Sequence, residues 1–202
     1  MATSLIYRSA LGYELLMRGL YGRHYGARLS AVAEQVSAGS SVLELCCGPG
    51  TLYRRYLRAQ TKQYIGLDVN ERFVAQLRRA SVDARSLDLA DVEVSLPIAD
   101  VVIMQASLYH FLPDAAQILE RMLDAAQQRV IIAEPVRNLA TSDHRWARAI
   151  ARRGTDPGVG GHAARFTEAT LDQLMSRWAG QIIASFLIPG GREKVYVLAG
   201  GG

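Results

Sequence analysis

The stretch LELCCGPGTL, residues 43–52, joins an apolar run to a glycine-rich turn. The apolar run that begins at residue 41 predicts a buried β-strand. Gly48 and Gly50 predict a sharp turn out of that strand, because glycine adopts backbone conformations that other residues avoid and lets another molecule approach the main chain. The stretch therefore predicts a strand, a ligand-binding turn and a helix that begins at Thr51.

Strand and helix patterns alternate for nearly a hundred residues around this turn. The later predicted strands are QYIGLDVN, VDARSLDL, ADVVIMQAS and RVIIAEP, followed by two strands that flank residues 189–192. Alternation of this kind is typical of a mostly parallel sheet with helices on both faces, and the last pair indicates an antiparallel hairpin. The pattern predicts a single α/β domain over residues 1–202: a helical cap over 1–37, a core over 40–136 and an insertion over 137–166.

Composition limits the compartment and the kinds of partner that the chain is expected to have. The chain has 202 residues, a net charge of +4 and two cysteines, Cys46 and Cys47. No segment has the features of a secretory signal or the length of a membrane span, and the adjacent thiols favour small buried side chains in a reducing cytoplasm. We expect a cytoplasmic monomer or homodimer without a metal, a membrane partner or a nucleic-acid partner.

Ligands of such sheets bind beyond the carboxyl ends of the strands. A dinucleotide is one candidate, but its fingerprint needs a third glycine where this chain has Tyr53. S-adenosylmethionine is the other. The motifs VLELCCGPG, YIGLDVN, SLDL and ADVVIMQASLYHF, in this order, resemble those of the class I S-adenosylmethionine-dependent methyltransferases, a doubly wound fold with a seven-stranded sheet and an antiparallel last strand.

The resemblance implies roles for the residues that follow each strand. Asp68, with Val69 beside it, is expected to bind the ribose hydroxyls, and Asp88 and Leu89 to adjoin the adenine. The methionine portion is expected at the other residues of this predicted cofactor site, which are Glu44, Cys46, Gly48, Gly50, Gln105, Ala106 and Tyr25. Cys46 stands where the family has its first glycine.

Methyl transfer needs a base only when the acceptor must lose a proton. The candidate catalytic residues are His110, Tyr109 and Glu134, each of which has an alternative interpretation. His110 suits packing under the following helix equally well, Tyr109 suits a pocket wall better than a base, and Glu134 suits a bond to the next loop slightly better.

The insertion is rich in arginine, which suits an acidic or phosphorylated acceptor, although a solvated surface explains the same charges. Its arginines are Arg137, Arg145, Arg148, Arg152, Arg153 and Arg165. We predict a methyltransferase that acts on an oxygen or nitrogen of a small molecule. The alternatives are an oxidoreductase that uses NAD(P) and a cofactor-binding scaffold without chemistry.

Overall fold

The computed structural model describes residues 10–137 and 165–201, in which seven strands form one mixed sheet. The strands are β1 (Ser41–Leu45), β2 (Gln63–Asp68), β3 (Ala84–Ser86), β4 (Ala99–Gln105), β5 (Ala126–Pro135), β6 (Ile182–Leu187) and β7 (Glu193–Ala199). The predicted strands are thus confirmed, including the closing hairpin.

The strand order is β3-β2-β1-β4-β5-β7-β6. All neighbouring pairs from β3 to β5 are parallel, whereas β7 runs antiparallel to both β5 and β6. The chain moves outward in one direction from β1 to β3 and in the other from β4 onward. In doubly wound folds ligands bind in a crevice beyond the carboxyl ends of the strands at such a reversal, which here lies between β1 and β4.

Helices cover both faces of the sheet. They are α1 (Ala10–Tyr21), α2 (Tyr25–Ala33), α3 (Glu71–Arg79), α4 (Ala115–Ala125) and α5 (Glu168–Met175). The side chain of Asn70 accepts a hydrogen bond from the Arg72 N–H, and that of Thr167 accepts one from the Thr170 N–H. Both residues are N-caps, which satisfy backbone donors in the first turn. Short 3₁₀ turns occupy Gly22–His24, Leu108–Phe111 and Ser176–Gln181.

Two apolar cores lie against the sheet, one on each face. One packs α4 and α5 onto residues such as Val102, and the other packs α2 and α3 onto residues such as Ile103. These two neighbours in β4 are both 0% exposed, because successive side chains of a strand point to opposite faces. The core of the sheet therefore fixes the positions at which β1, β2, β4 and β5 end.

The structure differs from the sequence prediction in three local details. The predicted helix from Thr51 to about Arg58 contains a π-helix over Tyr53–Leu57, in which the Arg58 N–H donates to the Tyr53 carbonyl. Strand β3 ends two residues before Asp88, whose carboxylate instead accepts from the Ala90 N–H and forms a turn. Ala126 lies at helical spacing after Met122 and Leu123 but begins β5. Among the described residues no helix has the length and apolar character to span a membrane.

Candidate active site at the carboxyl edge of the sheet

The glycine-rich turn is built in the left-handed backbone region. The φ angles are +53° at Cys46, +55° at Gly48 and +68° at Gly50. A Cβ atom at Gly48 would meet no atom within 4 Å, so this stretch of main chain faces open space. A Cβ at Gly50 would lie 2.6 Å from Leu77 Cδ2, so the second glycine is needed for the turn to pack on α3. Cys46 adopts the left-handed conformation that glycine favours, so the backbone at this residue is strained.

Asp68 lies at the end of β2 directly beside this turn. Its Oδ2 accepts a hydrogen bond from the Gly48 N–H at 2.7 Å, and its Oδ1 accepts one from the Asn70 N–H at 2.8 Å. Burial raises the pKa of this carboxyl, and the two N–H donors oppose that rise. Each carboxylate oxygen can accept more than one hydrogen bond, so Asp68 can hold the turn and still accept from a ligand hydroxyl.

An apolar surface continues from Asp68. The side chain of Val69 is 50% exposed, whereas Leu89 is buried and its carbonyl accepts from the Arg121 guanidinium. The Leu87 N–H donates to the Asp68 carbonyl at 3.2 Å, which brings the segment that carries Asp88 next to Val69. The predicted ribose and adenine residues are thus neighbours in the fold.

Glu44 lies beneath the glycine-rich turn and is almost fully buried. Tyr64 Oη donates to Glu44 Oε2 at 2.6 Å, and burial raises the pKa of Glu44 to about 7. The ring of Tyr53 stacks on Tyr64 with centroids 4.0 Å apart. The position at which a dinucleotide fingerprint needs its third glycine is therefore filled by an aromatic pair, which supports the sequence argument against a dinucleotide.

The turn after β4 forms the other wall of the crevice. Ala106, like Cys46, has a φ of +53°, and the Gln105 side chain donates to the Arg28 carbonyl at 3.0 Å. Glu134 Oε1 accepts from the backbone N–H groups of Ser107 and Leu108 at 2.7 and 2.8 Å. The left-handed conformation of Ala106 turns the chain after β4, and the Glu134 carboxylate holds the backbone of the next two residues in place.

This geometry bears on the candidate base Glu134. The residue is 0% exposed, and its Oε1 is engaged by two main-chain donors. A general base must reach the proton that it abstracts, so the contacts favour the alternative interpretation, a bond to the neighbouring loop. Burial raises the pKa of Glu134 to about 8, with Glu193 contributing as a nearby negative charge.

Tyr109 and His110 follow the same turn. Tyr109 is 8% exposed, and the Arg165 guanidinium lies 3.8 Å from its ring centroid. His110 is more exposed than Tyr109 and lies against that ring, with centroids 4.1 Å apart. Of the two, His110 is therefore better placed to meet a bound molecule, and Tyr109 forms part of a wall.

Helix α2 lies across the same edge. Tyr25, its first residue, is 5% exposed, and Arg28 Nε donates to Glu193 Oε1 at 2.8 Å. The sequence analysis missed Arg28, Glu193 and Tyr64. The signal for Glu193 was a carboxylate at the start of a strongly apolar strand, a position that needs a buried partner.

Some predicted positions lie outside the described residues. They are Arg145, Arg148, Arg152 and Arg153 of the insertion. Within residues 10–137 and 165–201 no group of three or more histidine, cysteine, aspartate or glutamate side chains is arranged to hold a metal ion. Cys46 and Cys47 are both free thiols.

The doubly wound sheet, with its antiparallel β7 and the order reversal between β1 and β4, agrees with the fold expected from the resemblance to the class I methyltransferases. The open main chain at Gly48, the buried carboxylate of Asp68 and the exposed Val69 fit the polar and apolar parts of S-adenosylmethionine. Residues 42–129 match a family model described as a methyltransferase domain. This match indicates a methyltransferase domain over that part of the chain.

Solved structures share this fold over nearly the whole chain. The protein bound to the Trm112 methyltransferase activator of Haloferax volcanii has a TM-score of 0.70 at 15% identity and covers 100% of both chains. Magnesium protoporphyrin IX methyltransferase from Synechocystis, solved with S-adenosylhomocysteine, has a TM-score of 0.64 at 16% identity, covering 96% of this chain and 97% of that one. A Thermotoga maritima S-adenosylmethionine-dependent methyltransferase has a TM-score of 0.65 at 16% identity, with coverages of 96% and 97%. No curated protein matches the sequence.

Proposed function

We infer that this chain transfers a methyl group from S-adenosylmethionine to an oxygen or nitrogen atom of a small molecule. The observation that carries the inference is the pairing of Asp68 with the open glycine turn, in the crevice between β1 and β4. When bound, S-adenosylmethionine supplies a methyl group already activated on a sulfonium. The protein then has to bind, orient and desolvate the two reactants.

We propose the following roles for the residues in the cofactor half of the crevice. Asp68 accepts from the ribose hydroxyls, Val69 packs on the adenine, and Asp88 accepts from the adenine amino group. The main chain at Gly48 and Gly50 adjoins the amino-acid tail. Glu44 lies beneath the turn and provides a negative charge that favours the ammonium group of that tail.

The acceptor half lies over the ends of β4 and β5. His110 is our candidate for the group that takes a proton from the acceptor, because its ring is more exposed than that of Tyr109. Tyr109 and Glu134 shape this half without contacting the transferred proton. An acceptor that reacts through an already unprotonated atom needs no base, and positioning alone then suffices.

The charges around this half favour an acidic acceptor. In the described segments 22–28, 105–112, 134–137 and 188–193, both acids, Glu134 and Glu193, are 0% exposed. Arg28 is buried against Glu193, whereas Arg23, Arg137 and Arg165, in or next to these segments, are at least partly exposed. Guanidinium groups pair well with carboxylates and phosphates. We therefore propose a small anionic acceptor, and we expect Arg137→Gln to raise its KM without lowering kcat.

Isothermal titration calorimetry tests the cofactor assignment. Wild-type protein should bind S-adenosylhomocysteine and not NAD, and Asp68→Asn should weaken binding of S-adenosylhomocysteine by about tenfold or more, the effect of one lost charge-assisted hydrogen bond. Asp91→Asn is the matched control, because Asp91 is an exposed loop acid that also accepts from a backbone N–H. Binding of NAD in place of S-adenosylhomocysteine would support the oxidoreductase instead.

A turnover assay distinguishes a methyltransferase from a cofactor-binding scaffold without chemistry. Release of S-adenosylhomocysteine can be followed across a panel of small carboxylates, phosphates, phenols and amines. Methylation of any member supports the proposal. Tight cofactor binding with no turnover on the whole panel would favour the scaffold.

A further inference from the structure

Helix α2 reaches across several strand ends through three separate contacts. Tyr56 Oη, in the π-helical turn after β1, donates to the Gly26 carbonyl at 3.3 Å. The Gln105 side chain, at the end of β4, donates to the Arg28 carbonyl at 3.0 Å. Arg28 Nε donates to Glu193 Oε1, at the start of β7, at 2.8 Å. Because β7 runs antiparallel, its first residue lies at the edge where β1 and β4 end.

The third contact differs in kind from the other two. The side chains of Arg28 and Glu193 are 5% and 0% exposed, so both charges are removed from water. A buried charge is tolerated only when it is paired, which makes this contact far more dependent on geometry than a neutral hydrogen bond. Arg28 also stacks on Tyr21, the last residue of α1, with its guanidinium carbon 4.5 Å from the ring centroid. One side chain thus connects α1, α2 and β7.

The residues around Arg28 belong to the proposed site. Tyr25 precedes it by one helical turn, so the two side chains lie on the same face of α2, and both are buried. Gln105, which Arg28 holds through its carbonyl, precedes the left-handed Ala106 that lines the crevice. A change in the position of Arg28 therefore moves groups on both sides of the cofactor crevice.

We propose that Arg28 is a positioning residue, which uses its ion pair with Glu193 to hold α2 closed over the cofactor crevice and so sets the rate of cofactor exchange. This proposal rests on the proposed function for the identity of the ligand. It predicts that loss of the pair releases the first turn of α2, while the later residues of α2 stay packed in the apolar core and the chemistry beneath remains intact. Lid opening of this kind limits turnover in many enzymes.

The test uses a double variant, Arg28→Met with Glu193→Leu. Replacing both members of a buried pair with apolar side chains of similar size preserves stability, whereas removing one member leaves an unpaired buried charge. The dissociation rate constant of S-adenosylhomocysteine, measured by stopped-flow displacement, should rise about tenfold or more in the double variant. The reason is that the start of α2 moves away from the crevice more often. The matched control is Lys62→Met, which removes an ion pair with Asp100 at the opposite edge of the sheet and should leave the rate unchanged.

Hydrogen exchange supplies a readout that needs no ligand. In the double variant the amides in the first half of α2 should exchange about tenfold faster, while those of β1 and β4 keep their protection. Unchanged exchange in α2 together with an unchanged dissociation rate would overturn the proposal. Wild-type protein that shows no binding of S-adenosylhomocysteine would instead refute the proposed function, and the exchange data would still decide the role of Arg28.

A second variant covers the case in which the double variant does not fold. Arg28→Lys retains the charge but loses the planar group that stacks on Tyr21 and the fixed donor geometry at Glu193. We expect a dissociation rate about threefold above wild type, with kcat on a saturating acceptor unchanged or higher when release is limiting. A dissociation rate equal to that of wild type in this variant would count against the proposal.

Discussion

Glu134 provides the sharpest test of the interpretation of the acceptor half. Two substitutions separate its possible roles, Glu134→Gln and Glu134→Ala. The amide oxygen of glutamine can accept the two backbone hydrogen bonds that now reach Oε1, at 2.7 and 2.8 Å, whereas alanine can accept neither. Glutamine cannot act as a general base. A positioning role therefore predicts that the two variants behave differently, and a catalytic role predicts that both are inactive.

The magnitudes follow from the contacts. Alanine leaves the N–H groups of Ser107 and Leu108 buried without an acceptor, at about 1–3 kcal/mol each. A total near 4 kcal/mol in a chain of this size lowers Tm by about 8–16 °C. Glutamine keeps both bonds and has no proton to take up when it is buried, so its stability at neutral pH should equal or exceed that of wild type.

The pH dependence gives an independent signature. The pKa of Glu134 is raised from 4.5 to about 8, so the buried group favours folding fully below pH 4.5, and that contribution is lost as the pH rises through 8. The complete loss amounts to about 5 kcal/mol at most, since one pKa unit is worth about 1.4 kcal/mol. Glu134→Gln should therefore gain stability relative to wild type between pH 5 and pH 9.

The assay is thermal unfolding at several pH values, combined with initial rates on the acceptor that the panel identifies. Glu120→Gln, an exposed carboxylate on α4, is the control and should follow the wild-type pH profile. A Glu134→Gln protein of wild-type stability whose kcat falls about a hundredfold or more would refute the positioning role, because losses of that size are typical of a missing general base.

Two further predictions concern the glycine-rich turn. Cys46→Gly should be about 1 kcal/mol more stable to unfolding by urea than Cys46→Ala, because only glycine relieves the backbone strain of a φ of +53°. Equal gains in stability in both variants would attribute the effect to loss of the thiol. Tyr64→Phe should cost about 1–3 kcal/mol at pH 8.5 and less at pH 5.5, since it deprives the buried Glu44 carboxylate of its hydrogen bond and Glu44 takes up a proton near pH 7. Thermal unfolding at the two pH values measures this difference, and a loss that is independent of pH would contradict the assignment.

The fold could be predicted in nearly all its elements because the relevant signals are local. Apolar runs, the N-caps at Asn70 and Thr167, and the turn at Gly190 each lie within a few neighbouring residues. The details that the sequence did not predict were also local. Nothing in residues 53–57 distinguishes a π-helix from an α-helix. The edge strand β3 pairs only with β2, and it ends where that pairing ends.

The candidate site was predictable only in part. Residues at the carboxyl ends of strands, such as Asp68 and Gln105, could be placed because these strand ends meet at one edge. The Arg28–Glu193 pair joins residues 165 positions apart, so no local pattern could reveal it. For Glu134 the sequence slightly favoured a bond to a loop over catalysis, but it could not identify the backbone donors, which belong to a different segment. The geometry of buried polar contacts is set by tertiary packing, which periodicity does not encode.

The reversed direction of β7 has a consequence for protein engineering. It carries the β6–β7 connection back to the acceptor half, where Gly190 adjoins the ring of His24 and Gly191 adjoins the Arg137 guanidinium. The glycine turn after β1 and the acid after β2 belong to other parts of the chain. New loop sequences can therefore be grafted between Leu187 and Glu193 to redesign acceptor choice, while the half of the molecule that binds the methyl donor is left as it is.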